Sequence, residues 1–127
     1  MGQHSGAFCA PCVRLSRFID RHGELLAKDY IHVKLDYRFT NGEAVIRRLR
    51  KEPGGIPWMI ILDANGKALI TSNGPDGNIG FPSGAVGIAH FEQMLRTTAR
   101  RLTDTEVKLL SKALSASSGN SATQRSR

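Results

Sequence analysis

The run Trp58-Met59-Ile60-Ile61-Leu62 constrains this chain more than any other feature. It is continuously apolar, without the alternation of a strand that faces water on one side, so it reads as a strand covered on both faces. Asp63-Ala64-Asn65-Gly66 follows as a turn. Asn65-Gly66 is a hairpin signal, with Lys67 to Ser72 as the returning strand.

The remaining elements are read around that hairpin. Val13, Leu15, Phe18, Ile19 and His22 recur at helical spacing, and Pro11 suits the first turn of their helix. Gly23 kinks or pauses that helix before Leu25 and Leu26. In Tyr30-Ile31-His32-Val33-Lys34-Leu35 the apolar residues alternate, which predicts a second strand. Asp36 to Gly42 reads as a loop and Glu43 to Lys51 as a short helix, closed by Pro53-Gly54-Gly55. Asn73 to Gly87 is a long glycine-rich loop, held to the surface by Ile79, Phe81 and Pro82. A helix is expected over 88–102. Thr103-Asp104-Thr105-Glu106 is a capping box that opens a last helix to about Ala116, with Val107, Leu110 and Leu114 as its apolar stripe. Residues 117–127 read as a loose tail.

The 127 residues suit one domain with a modest core. The formal charge of +7 is uneven. Residues 1–95 hold eleven Lys/Arg against nine Asp/Glu, whereas 96–127 hold seven against two. A nucleic-acid reading would therefore rest on the C-terminal quarter. The basic runs Arg47-Arg48-Leu49-Arg50-Lys51 and Arg96, Arg100, Arg101 come without an aromatic platform. Nucleic acid is thus not the expected partner. Both runs read first as solvated surface, and could instead steer an acidic protein or nucleic acid. No apolar run is long enough to span a bilayer, and no leader pattern precedes Ala7. The default expectation is a cytoplasmic chain, with an upstream signal left open.

Only two cysteines are present, Cys9 and Cys12, in Cys9-Ala10-Pro11-Cys12. They cannot make a disulfide scaffold or a four-cysteine zinc site. At the first turn of a helix, orphan N–H groups and the helix dipole favour a thiolate at Cys9. Cys12, one turn on, can attack a mixed disulfide and release the partner. A structural pair or half a metal site are the alternatives. A zinc set of His4, Cys9, Cys12 and His22 matches no strong spacing. No cofactor is expected.

Phe8-Cys9-Ala10-Pro11-Cys12 resembles the W-C-G-P-C element of the thioredoxin superfamily, and Gly55-Ile56-Pro57 ahead of the apolar strand resembles its cis-proline loop. The order of elements from Phe8 to Leu102 is also similar. The resemblance implies an α/β fold: a thioredoxin-like sandwich, N-terminally truncated or shortened, with an extra C-terminal helix. Residues 1–102 would form that domain, 103–116 a helix packed on it, and 117–127 a disordered tail. Only eight residues precede Cys9, so His4 to Phe8 could supply no more than a stub of the central strand. The resemblance also implies a site: Cys9 and Cys12 as the exchanging pair, with Ile56, Pro57 and Trp58 holding an extended substrate. Trp58 is read equally as core. The implied activity is thiol–disulfide exchange on a protein partner, and the alternative is a non-catalytic binding module of the same fold. No residue matches the family's buried acid; Asp36 reads as a loop or cap residue.

Overall fold

The computed structural model describes residues 9–35, 39–51 and 54–126, with side chains as far as Ala116. Helix α1, Ala10–Arg21, begins directly at the cysteine motif, with Pro11 in its first turn. It buries Cys12, Leu15 and Phe18 on one stripe. At His22 the helix breaks, and a single further turn, α2, covers Gly23–Leu26. The break thus falls at His22, one residue before the Gly23 at which the sequence suggests a pause. Helix α3, Thr40–Leu49, buries only Ile46.

Strand β1, Ile60–Leu62, pairs antiparallel with β2, Ala68–Thr71, in the register Ile60 to Thr71 and Ile61 to Ile70. The Asp63 carboxylate accepts from the N–H groups of Asn65 and Lys67, which closes the turn. Gly66 sits there at φ +83°, a conformation that disfavours a side chain. A second, smaller ladder joins β3, Asn73–Gly74, to β4, Gly77–Asn78. Helix α4 spans Ala85–Thr98 and α5 spans Asp104–Ser126, so the helical backbone runs on past the end expected near Ala116.

The core is made by helices. Leu15 and Phe18 of α1 meet Phe91, Met94 and Leu95 of α4 and Val107, Leu110 and Leu114 of α5, with Phe81 closing one side. Phe18 and Phe91 pack edge to face at 5.9 Å. Leu110 and Leu114 are 0% exposed, and each such burial stabilises by roughly 1.5–3 kcal/mol. The β1–β2 hairpin lies against this core through Met59, Ile61 and Ile70.

The thioredoxin-like sandwich expected from the sequence is therefore wrong. A sandwich needs one sheet with shared neighbouring strands, and here the two ladders are separate and two-stranded. Residues 30–35, expected as a strand, form no strand pairing among the described residues. Ile31 is 94% exposed and Val33 lies in solvent beside it. Alternation alone cannot make a strand without a neighbour to take its N–H and C=O groups. The stub of strand expected at His4 to Phe8 lies outside the described residues, as does Asp36.

Tyr30 anchors that segment instead. Its hydroxyl donates to Thr98 Oγ1 at 2.6 Å, and the Thr98 hydroxyl donates onward to Met94 O. Asp29 beside it explains why α4 ends before Leu102. Its carboxylate accepts from the N–H groups of Arg100, Arg101 and Leu102 at 2.8–3.0 Å, replacing helical acceptors. Burial alone would raise the Asp29 pKa; these N–H groups and the Arg101 charge outweigh it and hold the carboxyl below its ordinary value. The capping box forms as read, Glu106 N–H to Thr103 Oγ1 and Thr103 N–H to Glu106 Oε1. Lys28 pairs with Glu106, tying the α2 end to α5.

Candidate functional site

Cys9 and Cys12 are joined as a disulfide across the first turn of α1, with Cα atoms 5.2 Å apart. Cys9 is the N-cap, in extended backbone, and its Sγ accepts the Cys12 N–H at 3.3 Å. The two sulfurs differ in access. Cys9 is partly exposed, whereas Cys12 is 1% exposed. The first turn of α1 carries no acidic residue, so nothing there opposes the helix dipole at Cys9. Arg14, one turn beyond Ala10, lies 5.1 Å over the Phe81 ring and fixes this end of α1 to the core. His22 sits at the other end of the helix against Phe18, at 4.7 Å. Burial, then the Arg21 charge, lowers its pKa. It is a core-edge residue, away from the sulfurs. Among the described residues no cluster of three metal-ligating side chains forms.

Ile56, Pro57 and Trp58 lie in the loop that feeds β1, and the Ile56–Pro57 bond is cis. Pro57 is buried, while Ile56 and Trp58 are half-buried. Among the described residues no hydrogen bond, ion pair or ring contact joins this loop to Cys9 or Cys12.

What holds the loop is a residue that sequence reading passed over. Asn78, in the glycine-rich segment taken as a surface loop, donates from Nδ2 to Gly55 O at 3.0 Å and to Pro57 O at 2.9 Å. Its Oδ1 accepts the Ser72 hydroxyl at 2.7 Å. Ser72 Oγ in turn accepts the Met59 N–H. His90 Nε2 meets Thr71 O at 2.9 Å and pins β2 to α4. The same segment borders an open depression of about 220 Å³, lined in part by Asp76, Asn78, Phe81 and Ser83. Asn78 carried no distinguishing signal, because asparagine among glycines reads as an ordinary turn.

No protein-family model, curated protein or solved structure matches the chain. The site is defined by its own geometry: a cysteine pair at a helix start, close enough to be joined as a disulfide. No helix among the described residues is long and apolar enough to cross a membrane.

Proposed function

We propose that the chain performs thiol–disulfide exchange on a protein partner. The observation that carries this reading is the asymmetry of the pair, with Cys9 partly open at the helix N-cap and Cys12 sealed behind it. In the reduced chain, the Cys9 thiolate attacks one sulfur of a partner disulfide. A Cys9–partner disulfide forms and the other partner sulfur leaves as a thiolate. The Cys12 thiolate then attacks Cys9 Sγ, which closes Cys9–Cys12 and expels the second partner thiolate. The partner gains two electrons and the chain loses them; the reverse sequence oxidises a dithiol.

A structural staple is the weaker reading. Closing a loop this short stabilises by only about 2 kcal/mol on chain-entropy grounds, the low end for such bonds. The loop at Ile56, Pro57 and Trp58 serves in this proposal as a resting place for the partner's extended backbone. Its support is rigidity, given by Asn78 from below, and the exposure of Gly54 and Gly55 beside it.

The test is the alkylation rate of Cys9 against pH on the folded, reduced chain, with Cys12→Ala as companion. A Cys9 titrating clearly below the free-thiol value of about 8.5 is the expected result. A rate profile the same as in denatured chain would refute the proposal.

A further inference from the structure

Arg50 follows the last turn of α3 and is 9% exposed. A buried arginine is ordinarily paired with a carboxylate. Among the described residues, none pairs with Arg50. Its Nη2 donates to Gly55 O at 3.0 Å, while Nε is sealed from solvent with no partner among the described residues. The guanidinium carbon lies 5.0 Å over the Trp58 ring. Trp58 Nε1 is also sealed and unpartnered, and these two are the orphaned buried side-chain donors of the described residues. Both fall in one contact.

The contact can be approached from one side. Among the described residues Nη1 donates no bond, and it is not one of the sealed atoms. Gly54 covers the guanidinium with bare, exposed backbone: a Cβ there would fall 2.5 Å from Nη2. Arg47, Arg48 and Lys51 stand on the flank, with Glu43 as the carboxylate facing Arg47. Among the described residues, the exposed charges beside this recessed, planar, under-satisfied donor are three cations and the Glu43 carboxylate.

We infer that the Arg50–Trp58 contact and its basic flank bind an acidic side chain of a partner polypeptide. This deepens the proposed function by naming the partner's chemistry, and rests on it for the partner being a protein. A carboxylate supplies the counter-charge and accepts charge-assisted N–H bonds from the guanidinium plane. A nucleic-acid strand fits less well, because strands are held by free aromatic faces and the chain's one tryptophan already carries the guanidinium on its ring.

Trp58 is the sole tryptophan, so its fluorescence reports on the site directly. The full chain is titrated with an end-blocked, cysteine-free peptide, Gly-Asp-Glu-Asp-Gly, with its amide counterpart Gly-Asn-Gln-Asn-Gly, and with a ten-nucleotide oligothymidylate. The expected result is a saturable change in emission with the acidic peptide alone. Arg50→Lys, which keeps the charge but not the planar fork, should bind roughly tenfold more weakly or worse. Gly54→Ala, which displaces the guanidinium, should weaken binding as well, and Cys9→Ser should bind as the native chain does. Equal binding of the amide peptide, stronger binding of the oligonucleotide, no change in emission, or unaltered binding by Arg50→Lys overturns the inference. If both site variants fail to fold, the comparison of the two peptides on the native chain still decides it. The probe holds no sulfur, so its failure leaves the cysteine chemistry standing, and failure of the Cys9 titration leaves this result standing.

Discussion

Replacing Asn78 by alanine removes three side-chain hydrogen bonds at once, to Ser72, Gly55 and Pro57. They differ in worth. Gly55 is exposed and keeps its bond from Arg50, so water restores most of what it loses. Pro57 is buried and Ser72 is 0% exposed, so a carbonyl oxygen and a hydroxyl proton lose their side-chain partner, although Ser72 Oγ keeps its bond from Met59 N–H. An ordinary bond is worth about 1 kcal/mol net, and a stranded buried group costs about 1–3 kcal/mol, which places Asn78→Ala near 2–4 kcal/mol. With a urea slope of about 1.5 kcal/mol/M the unfolding midpoint should fall by roughly 1.3–2.7 M. Asn78→Asp keeps an acceptor for Ser72 but presents a carboxylate to two carbonyls, so it should be no milder. A cycle with Ser72→Ala should show a coupling of at least about 0.5 kcal/mol, as residues in one network do. A midpoint within about 0.3 M of the native chain for Asn78→Ala would refute this account of the loop.

Two further outcomes follow from the core and the α4–α5 corner. Leu110→Ala, at a site 0% exposed between three helices, should cost about 2–5 kcal/mol in the same urea assay. Asp29→Asn should cost about 1–2 kcal/mol at neutral pH, after discounting for partial solvent screening. The folded Asp29 pKa is depressed, so its contribution is present above the unfolded value and lost as the pH falls. In native chain that loss should begin near the ordinary carboxylate value, about pH 4, and continue towards the lower folded value. The Asp29→Asn variant should show a shallower acid slope, and an unchanged slope would remove Asp29 from this role.

Features set by neighbouring residues were legible in the sequence. The Thr103–Glu106 box, the helix opening at Cys9 and the Asp63–Gly66 turn each depend on atoms a few residues apart, and each is found; the pause expected at Gly23 falls one residue earlier, at His22. The failures are long-range. Ile31, Val33 and Leu35 alternate like a strand, yet a strand exists only where another edge meets it. The motifs at Cys9–Cys12 and Gly55–Pro57 resembled one family's local elements without its sheet. The cysteine pair was legible because its chemistry is local. The Asn78 clamp and the Arg50–Trp58 contact were not, because each is defined by a chain segment brought alongside by the fold.

The grip of residues 28–30 on the α4–α5 corner has a topological consequence. Lys28, Asp29 and Tyr30 bond to partners 65 to 78 positions away. The first and last quarters of the chain are therefore buckled to each other, and α1, α4 and α5 share one core. All that lies between, α3 and both hairpins, is an excursion that leaves this buckle and returns to it. Lengthening such an excursion is cheap, about 0.6 kcal/mol for each doubling. Insertions should accordingly be tolerated in the exposed stretch Ile31 to Lys34, and resisted in α1, α4 and α5.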